Sequence, residues 1–214
     1  PEPVETNIDV FNEIVEDTIT EQDTTVFKGE LIKTPASQQR NGYSEKLFQQ
    51  AYAQYKKNNI PDSLKMLNMV LDMDAAHVRA RSTLALVLSE QGHYDLAYSV
   101  LNEGLIQFPG QIDWSKMMAR LLFKQGKIVE AAEVLNKHGP PLASKTDYYA
   151  MQAATLQKLN DHANSARIYR DLLQVNPLRA VWWMGLGISL ESMKRYDDAL
   201  YAYQKAINNP ALAG

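Results

Sequence analysis

The sequence repeats every 34 residues over most of its length. Five windows of equal length begin at Ser44, Val78, Ile112, Thr146 and Ala180, with no insertion or deletion between them. A period of this size is typical of chains in which one small helical or stranded unit is stacked on the next. The repeat therefore divides the chain into a leader, 1–43, and five units, which are 44–77, 78–111, 112–145, 146–179 and 180–213.

Each window predicts two helices joined by a tight turn. Small residues stand at the eighth and twentieth places, with bulky residues between them, so that two helices can approach closely. Asn or Gly, which tolerate left-handed backbone angles, follow the first helix in four windows, and Lys194 stands there in the fifth. In the third window Gly139, Pro140 and Pro141 predict that the second helix ends near Lys137. The small residues are Ala51, Ala85, Ala119, Ala153 and Gly187, then Ser63, Ala97, Ala131, Ser165 and Ala199.

The pattern resembles the tetratricopeptide repeat (TPR). Aromatic, Leu, Gly, Tyr, Ala and Pro places of that repeat are matched in the last window by Trp183, Leu186, Gly187, Leu190, Tyr196, Ala199, Tyr203, Ala206 and Pro210. The resemblance implies an all-α fold, a right-handed superhelical solenoid of five repeats whose first helices line a concave groove. It also implies that Trp183 is a buried core residue, and that Trp182 lies on an outer surface or against the preceding repeat.

The groove that the resemblance implies is the candidate binding site. Lys116, Arg120 and Lys124 recur every four residues and so lie on one stripe of one helix. With the aromatic residues they suit an acidic or C-terminal peptide, although a solvated helical face beside packing aromatics remains an alternative. Some family members bind heat-shock-protein tails through Lys and Asn at particular groove places, but here Phe48 and Tyr52, or Ser82 and Leu86, occupy those places. The candidate residues are Phe48, Tyr52, Tyr55, Lys56, Leu86, Lys116, Arg120, Phe123 and Lys124.

No pattern in the sequence predicts an enzyme. The chain has no Cys, and none of the glycine-rich phosphate-binding or Gly-x-Ser-x-Gly motifs occurs. The histidines His77, His93, His138 and His162 are not spaced as metal ligands, and we expect them to be surface turn residues. We therefore predict no catalytic residue, metal or cofactor. A net charge of −3 also gives no case for binding nucleic acid.

The leader differs from the repeats in charge. It carries nine acidic and three basic residues, a net charge of −6, whereas residues 44–214 carry +3. Ile8, Phe11, Val15 and Ile19 predict a short amphipathic helix, and residues 26–43 look like an extended linker. The last repeat is followed by few residues, so the usual solvating helix is missing. We expect part of residues 7–35 to pack on the repeats of its own or a neighbouring chain, or a homo-oligomer to form.

The last two windows carry a more specific resemblance. The stretches DYYAMQAATLQKLNDHANSARIYRDLLQVNP and RAVWWMGLGISLESMKRYDDALYAYQKAIN are similar to the repeats of MshN-type proteins. Those proteins serve the biogenesis of a bacterial type IV pilus, the mannose-sensitive haemagglutinin (MSHA) pilus. The resemblance implies a non-enzymatic assembly scaffold in the periplasm whose partners are pilus assembly components. It also implies an inner-membrane anchor ahead of Pro1, an expectation that fits a sequence not beginning with Met.

Two other functions remain open at this point. One is a cytoplasmic adaptor or co-chaperone that binds peptide segments through the repeats. The other is a non-catalytic subunit of an enzyme complex. Both use the repeats as a protein-binding surface, so the sequence does not separate them.

Overall fold

The computed structural model describes residues 35–137, 139 and 145–208, with side chains from Gly42 onward. In this part of the chain every regular element is an α-helix, which confirms the all-α prediction. The predicted amphipathic helix at 7–20 lies outside the described residues. The helices are α1 Pro35–Lys56, α2 Ile60–Met73, α3 Val78–Glu90, α4 Tyr94–Gln107, α5 Ile112–Lys124, α6 Ile128–Lys137, α7 Thr146–Lys158, α8 His162–Val175, α9 Ala180–Ser192 and α10 Tyr196–Ile207.

The helices belong to two compact units, each described below by itself. The N-unit contains α1–α5 within residues 35–125, and the C-unit contains α6–α10 within residues 126–208. In both, consecutive helices form the helix pairs that the 34-residue windows predict. The end of α6 at Lys137 confirms the early stop predicted for the third window.

A left-handed residue closes the first helix of every repeat. Asn58, Gly92, Gly126, Asn160 and Lys194 have φ angles of 59°, 79°, 71°, 60° and 61°. In the second repeat the His93 amide donates to the Leu88 carbonyl and the Gly92 amide donates to the Ser89 carbonyl. The first, fourth and fifth repeats have the same two bonds, which is the Schellman arrangement. The turn is thus conserved in geometry even where Lys replaces Asn or Gly.

Small residues hold the helices at close range, as the sequence predicts. All ten small residues of the eighth and twentieth places are buried. At Gly185 and Gly187 the fit is equally close, because an added Cβ would lie 2.4 Å from the ring of Tyr169 or of Tyr203. The bulky side chain of one helix therefore fills the space that the small residue of another leaves open.

The first helix begins earlier than expected. Residues 26–43 were predicted as an extended linker, but α1 starts at Pro35, so that prediction is wrong for 35–43. Proline is well accepted at the first position of a helix because the amide it lacks has no partner there. The charge boundary near Ser44 is therefore not a structural boundary, and residues 26–34 lie outside the described part.

Of the two tryptophans, Trp183 is less buried than the family resemblance implies, whereas Trp182 is buried in the core. Trp182 is 4 % exposed and belongs to the C-unit core with Tyr169, Leu172 and Leu186. Trp183, predicted to be buried, is only partly so, and its indole N–H donates to the Pro177 carbonyl at 2.8 Å. A neighbouring residue on a helix is turned by about 100°, so Trp182 and Trp183 face different surroundings. The contact of Trp182 with the preceding repeat agrees with one of its two predicted positions.

The prediction for the histidines fails at His77. His93 is exposed, but the His77 side chain is 8 % exposed, and its Nδ1 accepts from the Ala80 amide at the start of α3. His162 is half-buried, and this burial lowers its pKa despite the nearby Asp161. His138 lies outside the described residues.

Lys194 offers a test of the turn. We expect Lys194→Asn, which copies the residue of the first and fourth repeats, to raise the free energy of unfolding by about 0.5–1 kcal/mol. The gain arises because a left-handed backbone costs residues other than Gly and Asn roughly 1 kcal/mol. Urea unfolding followed by circular dichroism measures it. Gly92→Ala is the opposite control and should lose a similar amount; a gain in both variants would contradict the argument.

Gly185 tests the close approach. Inside a helix Gly→Ala usually stabilises by up to about 1 kcal/mol. Because the added Cβ would meet the fully buried Tyr169 ring, Gly185→Ala should instead lower the free energy of unfolding by about 1–3 kcal/mol. Gly42→Ala is the matched control, since Gly42 is helical with nothing within 4 Å of the added atom. Equal stabilisation of both variants would show that the helices are not tightly packed at Gly185.

Candidate functional site

All nine predicted groove residues lie on the first helices of the N-unit, α1, α3 and α5. Two of these nine residues are large apolar side chains that are open to solvent. Tyr52 on α1 is 37 % exposed, and Leu86 is 42 % exposed at the same place of α3. Because α1 packs beside α3 and α3 beside α5, these side chains belong to one surface. We call this surface, formed by Tyr52, Tyr55, Lys56, Leu86, Glu90 and Lys124, the N-face.

Polar contacts orient the side chains that surround Tyr52 and Leu86. The Tyr55 hydroxyl donates to the Glu90 carboxylate, at 2.9 and 3.0 Å from its two oxygens, and so joins α1 to α3. Burial together with this acceptor raises the pKa of Tyr55 to about 12. The Lys56 ammonium lies 5.3 Å from the centre of the Tyr52 ring, within the range of a cation–π contact. The N-face therefore combines oriented polar groups with exposed apolar area.

Phe48 does not line the N-face, contrary to its predicted role. It is 5 % exposed, with the Arg79 guanidinium 4.5 Å from its ring centre and the His77 ring 5.1 Å away. A partner cannot insert a side chain against a ring that is covered in this way. Phe48 packs α1 against α3 and so supports the N-face from beneath.

A carboxylate on α1 links this packing to the next repeat. Glu45 forms an ion pair with Arg79, and its Oε2 is 3.3 Å from the His77 Nε2. Burial acts to raise the pKa of Glu45, but hydrogen bonds from Gln49 and Arg79 and the nearby positive charges outweigh it, so the pKa is lowered. His77 was not recognised as part of any site in the sequence, because it lies outside the first helices.

The three predicted cations of α5 do not form one exposed stripe. Only 2 % of the Lys116 side chain is exposed, and its ammonium lies 3.2 Å from Asp113. Arg120 and Phe123 are half-buried, and Lys124 is exposed at the end of the helix. The four-residue spacing was read correctly as one helical face, but most of that face is turned into the packing. The binding role of these residues stays a prediction.

Three of the equivalent places on α7 in the C-unit are buried and neutral. Ala150, Ala154 and Gln157 of α7 are at most 7 % exposed. The Gln157 amide donates at 2.7 Å to the Gly185 carbonyl and to the Ser189 hydroxyl, and it accepts from Tyr169 at 3.3 Å. Each polar group of this amide thus has a partner inside the C-unit. The exposed apolar side chains at the ninth place, Tyr52 and Leu86, are a property of the N-unit.

No metal or membrane segment is found in the described residues. In this part of the chain no three His, Cys, Asp or Glu side chains are grouped so that they could hold a metal ion. None of the helices from α1 to α10 is both long and apolar enough to cross a membrane.

The contact of Glu45 with Arg79 and His77 predicts a pH dependence. A lowered pKa in the folded state means that the stabilisation is complete above the ordinary value of 4.5 and is lost as the pH falls below it. Glu45→Gln should therefore be less stable than the wild type at neutral pH and should lose less stability on acidification. Unfolding in urea at pH 7 and near pH 4 measures the difference. Glu133→Gln, at an exposed site of α6, is the control; the same pH response in both variants would refute the assignment.

Comparison with known proteins agrees with this architecture. Two sequence models described as tetratricopeptide repeat match the chain, one over residues 88–155 and the other over 48–112 and 151–213. No curated protein matches the sequence.

Several solved structures share the fold. MamA from Desulfovibrio magneticus RS-1 is 13% identical, with a TM-score of 0.63 over 78% of this chain and 95% of that one. YrrB, described as a TPR protein with an unusual peptide-binding site, is 16% identical, with a TM-score of 0.62 over 76% and 84%. Pseudomonas aeruginosa pilF is 14% identical, with a TM-score of 0.64 over 79% and 78%.

Identities this low show the fold alone. The matches to the family extend over more than half of the sequence, and the helix pairs, left-handed turns and buried small residues agree with them. The chain is a member of the tetratricopeptide repeat family.

Proposed function

We propose that this protein is a non-enzymatic scaffold that binds a segment of a partner protein on the N-face. The observation that carries the proposal is the pair of exposed apolar side chains, Tyr52 and Leu86, at the same place of neighbouring first helices. Isolated exposed apolar residues are normal, but repeated ones framed by oriented polar groups are typical of recognition surfaces.

The spacing of the N-face suits an extended peptide. Packed helices lie about 8–10 Å apart, and alternate side chains of an extended chain are about 7 Å apart on one side. A partner segment crossing α1 and α3 could therefore place one apolar side chain near Tyr52 and the next near Leu86. Lys56 and Lys124 favour acidic residues beside them, whereas Glu90 is already held by Tyr55. The peptide-binding site named for YrrB is a precedent in a protein of the same fold.

Within this general function, we propose assembly of a type IV pilus in the bacterial periplasm. The support is the resemblance of the last two repeats to MshN-type proteins, which also implies a membrane tether ahead of the sequence given. The similarity to pilF supports only a shared fold.

Binding to purified pilus assembly components tests the N-face. Tyr52→Ala/Leu86→Ala should weaken binding at least about tenfold, since truncating a central contact residue costs more than 1 kcal/mol at recognition sites. Leu96→Ala/Ile106→Ala on α4 is a matched control, because these side chains are 57 % and 73 % exposed. Isothermal titration calorimetry gives both affinities. Unchanged affinity of the N-face variant would exclude this surface as the binding site.

Cell fractionation of the native host tests the pilus assignment separately. The protein expressed with its natural preceding sequence should fractionate with the inner membrane and be digested by protease added to the periplasm. Deleting its gene should reduce surface pili. A soluble, protease-protected protein in a host with normal pili would favour the cytoplasmic adaptor instead, while leaving the N-face result intact.

A further inference from the structure

The thirteenth place of the first three windows forms a row of charges along one edge of the N-face. Lys56, Glu90 and Lys124 are all exposed, and they are the last residues of α1, α3 and α5. Because α3 contacts both α1 and α5, the three side chains stand side by side on successive first helices. Their signs alternate from one helix to the next, positive, negative and positive. We call these three residues the charge row.

The charges of this row are not paired with opposite charges of the protein. Glu90 accepts from the neutral Tyr55 hydroxyl, and the Lys56 ammonium lies against the Tyr52 ring. Within the described part of the chain, none of the three residues of the charge row forms an ion pair. The two aromatic contacts thus orient Lys56 and Glu90 and leave their charges available to a partner.

A second row on the same helices shows the contrast. At the second place of the windows Glu45, Arg79 and Asp113 also alternate in sign. Glu45 and Arg79 form an ion pair with each other, and Asp113 lies 3.2 Å from the Lys116 ammonium. Opposite charges on neighbouring first helices can therefore pair within this fold. The second row is satisfied inside the protein, whereas the charge row is not.

The spacing of the charge row matches an extended segment in the polyproline II form. Packed helices lie about 8–10 Å apart. A polyproline II segment has about three residues per turn and rises about 3.1 Å per residue, so every third side chain lies on one side, about 9 Å from the last. A β-strand repeats on one side every 7 Å or so, about 2 Å less. Side chains at three-residue spacing can therefore meet one first helix each.

We propose that the N-face selects an extended partner segment that has an acidic, a basic and an acidic residue at three-residue spacing, placed against Lys56, Glu90 and Lys124. The inference rests on the proposed function, because it specifies the partner of the same surface. Apolar residues beside the first acid and beside the base then lie near Tyr52 and Leu86, one helical turn away from the charge row. The third residue of each turn faces solvent, where proline is accepted.

The alternating signs select the register of the segment more than they add affinity. Exposed charge pairs contribute little each. A segment displaced by one helix, however, brings like charges together at two places, and like charges disfavour the wrong arrangement. A uniformly acidic segment is also disfavoured, since it meets Glu90. The charge row thus distinguishes a mixed-charge partner from a purely acidic one.

Fluorescence anisotropy with three labelled synthetic peptides tests the charge row. The wild type should bind ELPKLPE at least about tenfold more tightly than KLPELPK, since three favourable pairs become three like-charge contacts. It should also bind ELPKLPE more tightly than ELPPKLPPE, in which the charges are four residues apart. The preference between the first two peptides should shrink in about 1 M salt, which screens charges separated by more than about 3 Å.

A charge-reversed protein provides the reciprocal test. Lys56→Glu/Glu90→Lys/Lys124→Glu should bind KLPELPK more tightly than ELPKLPE, so that the preference is inverted. Circular dichroism checks that the variant is folded.

The matched control reverses three exposed charges outside the N-face. Lys46→Glu/Lys65→Glu/Asp72→Lys makes the same change in net charge, because it also exchanges two Lys for Glu and one acidic residue for Lys. Lys46 lies at the other end of α1 from Lys56, and Lys65 and Asp72 lie on α2. This variant should keep the preference of the wild type.

Four results would overturn the inference. They are equal affinity of the wild type for ELPKLPE and KLPELPK, a preference that the charge-reversed protein does not invert, inversion in the control, and binding of no peptide up to about 1 mM. Equal binding of ELPPKLPPE would overturn the three-residue spacing. The proposed function fails separately, if Tyr52→Ala/Leu86→Ala binds the pilus assembly components as the wild type does.

Discussion

The close approach of helices at small residues is the constraint on which the rest of the structure depends. A two-helix unit has too little apolar surface to be stable alone, so each repeat must bury a face of its neighbour. That burial is possible only where the backbone of one helix lets a ring of another reach it, as at Gly185 beneath Tyr169. The functional surfaces follow from this requirement. They are the parts of the first helices that packing leaves free.

Much of the fold could be predicted from the sequence, because it depends on spacing. The 34-residue period gave the helix pairs, the left-handed turns and the early end of α6, since each is determined by a few residues at fixed places. Lys194 shows how strong this information is: the turn keeps its geometry although its residue is unfavourable. The start of α1 at Pro35 was missed because those residues are polar and carry no periodic apolar signal.

The candidate site was less predictable, because it depends on which side of a helix is covered. Family geometry placed Phe48 and Lys116 in the groove, and both are indeed on first helices, but neighbouring side chains cover them. Trp183 is only partly buried, contrary to expectation, for a similar reason, since one step along a helix can decide between core and surface. Contacts such as that of His77 with Glu45 join residues far apart in sequence, and the repeat pattern contains no information about them.

The Gln157 contacts have a consequence for how the two units respond to their surroundings. Gln157 joins α7 to α9 through Gly185, Ser189 and Tyr169, and burial raises the pKa of this tyrosine. The link therefore contains no group that is charged near neutral pH, and dissolved salt has no ion pair to screen there. In the N-unit, α1 and α3 are joined through the charged pair of Glu45 and Arg79. The connection of α1 to α3 in the N-unit, which carries the N-face, is thus sensitive to ionic strength, whereas the connection of α7 to α9 in the C-unit is insensitive to it.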